Sequence, residues 1–235
     1  MRLDRFISNL ARFNRQDARQ LLASGRLRVD GQTVCDGQLQ IREFNRIELD
    51  EELLQAGKAA RFYMLYKPVG YVSATSHPQH PTVLDLLDVP DKQDLHLAGR
   101  LDLNTSGLVL ITNDGHWSRR LTLPGSRLPK VYRVRTEQPI TAEYVEAFAG
   151  GMYFAYENLT TLPAELEILT PHEGRLTLRE GRYHQVKRMF GHFQNRVLAL
   201  HREGVGSLRL DGLSCGDWRS LTSEELHSLE IPALL

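Results

Sequence analysis

Cysteine is nearly absent from this chain of 235 residues: Cys35 and Cys215 are the only two, and no Cys-x-x-Cys occurs. That excludes a disulfide framework or a thiolate metal site as the organising element, and it fits a reducing compartment. No run of about 18 apolar residues exists, so no membrane span is expected. The opening MRLDRFISNLARFNR carries no apolar segment followed by small residues, so a secretory leader is not expected either, and the cytoplasm is the expected location. No GxxxxGK[ST] and no GxGxxG opens a helix, which argues against nucleoside triphosphates and dinucleotides. GxSxG is missing too. The nine histidines are scattered, and His184, His192 and His201 lack the i, i+4 spacing of a helical metal pair. With neither metal nor cofactor expected, the chemistry falls to side chains such as Asp, Arg, Lys and Tyr.

A net charge is also lacking: 29 basic side chains balance 29 acidic ones. The distribution is uneven, however. Residues 1–30 hold seven arginines (2, 5, 12, 15, 19, 26 and 28) against three aspartates, an excess of four positive charges. Residues 179–202 hold six basic residues against Glu180 alone. Two concentrated basic segments in a neutral whole suit a phosphate-bearing partner.

The periodicities describe an α+β protein. Leu3, Phe6, Ile7 and Leu10 recur at helical spacing, and Asn14 is a plausible N-cap for a second helix over 15–24, closed by Gly25. "RLRVDGQTV" reads as strand, Asp-Gly turn, strand, and "NRIELD" as a further strand. The first unit is placed at 1–52 and a linker at 53–60, within the stretch "EELLQAGKAA" (51–60) that shows no period. The larger domain, 61–235, mixes hairpins and helices around a mainly antiparallel or mixed sheet. "RFYMLYKPVGYVSAT" reads as strand, Lys-Pro turn and second strand, "SGLVLITND" and "KVYRVRTE" as strands, and "TAEYVEAFAGG" as a helix capped by Thr141. "AELEILT" and "RLTLRE" form a hairpin, and "YHQVKRMFGHF" is a helix with Val186, Met189, Phe190 and Phe193 on its apolar face.

Two resemblances sharpen this reading. "RLDRFISNL" with "ARQLLASGRLRVDGQTV" resembles the S4 RNA-binding domain over roughly residues 1–50. The resemblance implies that Arg2, Arg5, Arg15, Arg19, Arg26 and Arg28 meet RNA. "AGRLDLNTSGLVLITNDG", Ala98 to Gly115, closely resembles the central motif of the pseudouridine synthases, in the branch that includes the small-subunit rRNA enzyme, and by that resemblance Asn113-Asp114-Gly115 closes the motif as a turn. "YKPVGYVSAT", "KVY" and "REGRYHQVKRM" resemble three further motifs of that family, in the expected order. The family's catalytic aspartate matches Asp102, its active-site tyrosine Tyr132, and its basic partner Lys187. Arg100 would fill the space left by a flipped nucleotide or hold phosphate. Arg182 and Arg188 would contact phosphate, or one of them would share the role of Lys187, and Lys67 is expected on the RNA side as well.

These resemblances imply the pseudouridine synthase fold behind an S4-like domain, and conversion of a uridine to pseudouridine without a cofactor. A base inside folded RNA must leave its stack to react. Asp102, ionised in a partly desolvated pocket, would attack C1′, add to uracil C6, or remove a sugar proton to give a glycal; the residues do not choose among these. One carboxylate suffices, because no water needs activating, unlike in a glycoside hydrolase. "HPTVLDLL" and "EGRYHQVKRM" resemble members acting on 16S RNA. Members acting on 23S RNA more often carry Asn-Arg-Gln-Ile-Arg-Arg where Tyr183–Arg188 stand here. The expected partner is therefore 16S rRNA or a small-subunit assembly intermediate, engaged by a monomer. The rivals are a 23S-directed synthase and a non-catalytic assembly factor that only binds RNA.

Overall fold

The structure, a computed structural model, describes residues 1–229, and the chain divides into two compact units, Met1–Ala60 and Arg61–Leu235.

In the first unit, helices α1 (Leu3–Asn9) and α2 (Arg15–Ala23) precede strands β1 (Leu27–Val29), β2 (Gln32–Thr33), β3 (Ile47–Leu49) and β4 (Glu52–Gln55). The sheet order is β2-β1-β3-β4. Asn14 caps α2 through its side chain, which accepts from the backbone of Gln16 and Asp17, while Asp17 accepts in return from Asn14 N–H. Asp30 and Gly31, with φ of 52° and 81°, make the two-residue turn joining β1 to β2. Leu3, Ile7, Ala18, Leu22, Leu27 and Ile47 form the unit's own core. The segment expected as a linker is a correction: β4 pairs with β3, and Lys58 N–H donates to Glu43 O. A short edge strand with half its side chains in solvent leaves no apolar alternation to read.

The second unit is built on a nine-stranded mixed sheet. Its elements are β5 (Phe62–Lys67), β6 (His96–Leu97), β7 (Thr105–Thr112), α3 (Gly115–Thr122), β8 (Lys130–Thr136), α4 (Ala142–Gly150), β9 (Tyr153–Phe154), β10 (Leu159–Thr160), β11 (Glu165–Thr170), β12 (Glu173–Leu178), α5 (Gln185–Gly191), β13 (Val197–Val205), β14 (Leu208–Arg209), β15 (Trp218–Ser220) and α6 (Ser223–Ser228). The main path is β11-β12-β8-β13-β7-β5-β15, with β14 on β13 and β6 on β7; β9 and β10 pair separately. All pairings in the sheet are antiparallel except β7 with β13.

The apolar run of β7 is explained by burial on both faces. Val109 and Ile111 join Leu65, Val134, Leu176, Phe148 and Phe190 in one core. Leu108 and Leu110 join Met64, Trp117 and Leu121 in another. Helix α4 is locked by aromatic rings to α5 and the residues just after it: Phe148 meets Phe190 edge-on at 5.2 Å, and Tyr144 stacks at 4.0 Å on Phe193, two residues past the end of α5. This packing fixes the helix that carries Lys187.

Three local expectations differ from the structure. No strand follows the Lys67-Pro68 turn, only a bridge from Val72 to Thr82. Asn-Asp-Gly at 113–115 starts α3, with Asp114 as cap accepting from His116 and Trp117 N–H, rather than making a simple turn. Thr141 holds the cap position of α4 without a side-chain hydrogen bond.

Candidate active site

The N-terminal end of β7 is where the parallel neighbour β13 comes alongside, with Leu200 opposite Thr105 and Arg202 opposite Gly107. Gly107 has a φ of 117°, and a Cβ there would sit 2.3 Å from Arg202 O, so only glycine permits this approach. Just before the strand, Asp102 opens a tight turn closed by Thr105 N–H donating to Asp102 O at 3.0 Å. The turn is held from below. Lys67 Nζ donates to the carbonyls of Thr105 at 2.7 Å, Pro68 at 2.9 Å and Leu103 at 3.4 Å. Gly70 N–H also donates to Leu103 O, and Leu101 N–H donates to the buried Ser73 Oγ. The Lys-Pro-Val-Gly segment is therefore a bracket for the aspartate.

Lys67 corrects the sequence expectation: it is fully buried, with no surface left to offer to RNA. Its ammonium is taken up by carbonyl oxygens of its own chain, at Pro68, Leu103 and Thr105. Burial pushes the Lys67 ammonium down to about 8, opposed by the negative Asp102 nearby. Lys130 is likewise pushed down to about 8 by burial, with Arg202 adding repulsion. In the unfolded chain both lysines keep their protons up to the ordinary value of 10.5, so between about 8 and 10.5 the unfolded state binds more protons. Their contribution to stability is therefore expected to rise with pH from about 8 to about 10.5. Denaturant titrations across that window should show the rise shrinking in Lys130→Met.

Asp102 faces a pocket lined by Arg100, Leu101, Thr105, Tyr132, Gly181, Arg182, His184, Gln185, Val186, Lys187 and Leu200. Lys187 Nζ donates to Asp102 Oδ2 at 3.0 Å, across 85 residues of sequence. His184 Nε2 lies 3.4 Å from Asp102 Oδ1, so the two carboxylate oxygens have different neighbours. Tyr132, on β8 between Leu176 and Arg202, is nearly buried in the pocket wall. Arg100 is exposed and makes no ion pair among the described residues. A second groove, lined by Val69, Asn104, Ser106, Arg196 and Leu198 among others, shares Lys187 and Leu200 with the pocket.

The turn before α5 aims Lys187 and His184. Buried Glu180 accepts from Leu162 N–H, Gln185 Nε2 and Arg182 Nε. Gln185 Oε1 accepts in turn from Arg182 N–H at 3.0 Å. His184 is forced into the left-handed region at φ 49°, an uncommon conformation for a residue with a Cβ. Sequence reasoning missed His184 and Glu180. Their signal was their place inside the "EGRYHQ" motif, without any periodicity of their own.

The other expected RNA contacts are distributed as follows. Arg182 lines the pocket, but its Nε is paired with Glu180. Arg188 does not reach the pocket: its guanidinium makes a two-pronged pair with Glu157 and lies 3.7 Å from the centre of the Phe154 ring. In the N-terminal unit Arg2, Arg5, Arg15 and Arg19 line one groove together with Asp4, Ser8, Asn9, Phe13 and Asn14. Arg2 is hydrogen-bonded to Asp4 there, whereas Arg5, Arg15 and Arg19 are exposed and make no ion pair among the described residues. Arg26 lies outside that groove and is paired with Asp50; Arg28 also lies outside it and is exposed. Among the described residues no group of three or more His, Cys, Asp or Glu is placed to hold a metal ion, and no helix is long and apolar enough to cross a membrane.

The family model described as RNA pseudouridylate synthase matches residues 61–192, the span that contains Asp102, Tyr132 and Lys187. The chain belongs to this family and is an RNA pseudouridine synthase, an enzyme that isomerises uridine to pseudouridine. Among its relatives, a Pseudomonas aeruginosa protein named ribosomal small subunit pseudouridine synthase A is 63% identical over 230 residues, covering 97% of this chain and 100% of the relative. The protein of that name from Escherichia coli is 44% identical over 230 residues, with the same coverage. A crystal structure of a pseudouridylate synthase, 39% identical, superposes with a TM-score of 0.71 and covers 98% of this chain and 100% of that one.

Proposed function

We propose that this enzyme isomerises a uridine of the small-subunit ribosomal RNA, with Asp102 as the reacting group. The observation that carries the site assignment is the Lys187–Asp102 pair, 3.0 Å apart at a pocket that also presents Tyr132 and the exposed Arg100. In the reaction the N1–C1′ bond breaks, the uracil turns, and C5 joins C1′. N1 gains a proton and the hydrogen on C5 is lost. Every atom of the product comes from the substrate apart from exchanged protons, so the balance calls for no oxidant or other reactant.

Each role has a physical basis. Lys187 opposes the charge of the carboxylate that acts on the sugar or the base, and it holds that carboxylate in one orientation. Tyr132 offers a ring to the flipped uracil, a contact worth about 1–3 kcal/mol per base. Arg100 occupies the place the nucleotide leaves. The bracket around Lys67 fixes the turn on which Asp102 sits.

The choice of small-subunit RNA is supported by relatives that carry that name and match nearly the whole chain. The N-terminal unit, read as S4-like, supplies a basic groove to the RNA backbone, with the protein acting as a cytoplasmic monomer on 16S rRNA or a small-subunit assembly intermediate. The test is release of tritium from RNA labelled at uracil C5. Release from 16S RNA or its assembly intermediates is expected; release from 23S RNA alone would refute the substrate.

The groove makes a separate prediction. Replacing Arg5, Arg15 and Arg19 together by alanine should flatten the dependence of log K on log [salt] by about 0.7–0.9 for each phosphate no longer neutralised. Filter binding over a salt series checks this, and an unchanged slope would show that the groove does not hold phosphate.

A further inference from the structure

We propose that Tyr183 is a stacking platform for the nucleobase next to the target uridine. The inference rests on the reading of the Asp102 pocket as the receiver of the flipped nucleotide.

Tyr183 is 76% exposed, which is high for a large aromatic side chain and leaves much of its ring in solvent. It is not loose, however. Its ring stacks on His184, with centroids 3.8 Å apart and planes 20° from parallel. His184 in turn lines the pocket and reaches within 3.4 Å of Asp102. One face of the tyrosine is thus laid on the wall of the active site, and the other is open. The backbone supports this placement at a cost: the left-handed His184 is kept in position by the hydrogen bonds that Glu180 and Gln185 make around the turn.

The physics of base extrusion supplies the occupant. A nucleotide that leaves its stack uncovers a face on each neighbour. A neighbour whose bared face meets Tyr183 regains stacking, and His184, Tyr183 and the base then form one continuous pile beside the reacting carboxylate. Stacking accepts any base, so Tyr183 contributes affinity and register along the strand and leaves base identity to other contacts.

The experiment uses the full-length protein and an rRNA fragment centred on whichever uridine the wild type converts, in 16S or 23S RNA. A failure of the small-subunit assignment therefore shows itself separately. Single-turnover rates are measured against protein concentration for wild type, Tyr183→Ala and Tyr183→Phe. The fragment is used intact, then with each nucleotide flanking the target replaced in turn by an abasic ribose. Tyr183→Ala should raise the half-saturating concentration by about 5- to 150-fold, the value of one stacked base. Its maximal rate should stay within about twofold, because it removes binding and not chemistry. Tyr183→Phe should match wild type. On one of the abasic fragments the penalty of Tyr183→Ala should vanish, since ring and base are the two halves of one stack.

Two results would overturn the proposal. One is a lower maximal rate with half-saturation unchanged, which would make the ring only a prop for His184. The other is a penalty that persists undiminished on every abasic fragment.

Discussion

Asp102→Asn is expected to abolish tritium release from C5-labelled RNA, with a loss of about 10⁴-fold or more, while RNA affinity stays within about threefold. The substitution keeps the size of the side chain and most of its hydrogen-bonding shape. It removes the negative charge that Lys187 faces at 3.0 Å and the oxygen that must attack carbon or take a proton. An amide does neither at a useful rate. The RNA should still bind, because the exposed Arg100 and the basic groove of the N-terminal unit are untouched. Tritium release together with filter binding on one protein preparation separates the two effects. Substantial release by the variant would remove Asp102 from the chemistry.

Lys67→Met is expected to lower the single-turnover rate by about 100-fold and to change half-saturation by less than about threefold. The methionine fills similar space without the ammonium. Three carbonyls are then left without this donor: Pro68, Leu103 and Thr105. Leu103 O retains Gly70 N–H, but Thr105 O is deprived of its 2.7 Å partner beneath the aspartate turn. A displacement of about 1 Å in a reacting group is enough for a rate decrease of this size. The opposite pattern, weakened half-saturation at an unchanged maximal rate, is what a phosphate-binding lysine would give. The kinetics therefore discriminate between the buried bracket seen in the structure and the RNA contact expected from sequence.

That reversal shows where sequence is a poor guide. A lysine next to proline carries no sign of burial, since lysine is seldom fully buried. Its three acceptors are backbone carbonyls, which leave no trace in residue type. The strand β13 was invisible for a similar reason. His201, Arg202 and Glu203 break its apolar alternation, yet Arg202 is buried because Nε donates to Leu108 O at 2.7 Å. Helix α3 was hidden because Asn-Asp-Gly has the composition of a turn, while Asp114 uses the same chemistry to cap a helix.

What was legible had local causes. Asn14 caps α2, Asp30-Gly31 turns a hairpin, and Glu165–Leu178 pairs with itself, each through contacts local in the chain, the widest being Glu165 with Thr177. Asp102, Tyr132 and Lys187 were legible as motifs, and they line one pocket although they lie on a turn, a strand and a helix far apart in the chain. The approach of His184 to the second oxygen of Asp102 goes with one left-handed residue, and neither composition nor spacing encodes it.

The most direct test of the account is a nucleotide-resolution map of pseudouridine. Wild-type protein and Asp102→Asn are each incubated with 16S and 23S rRNA and with assembly intermediates. Carbodiimide modification and primer extension then locate the product. A single stop in 16S RNA, present with wild type and absent with Asp102→Asn, is the predicted result. A stop confined to 23S RNA would contradict the substrate, and a 16S stop that survives in Asp102→Asn would contradict the chemistry.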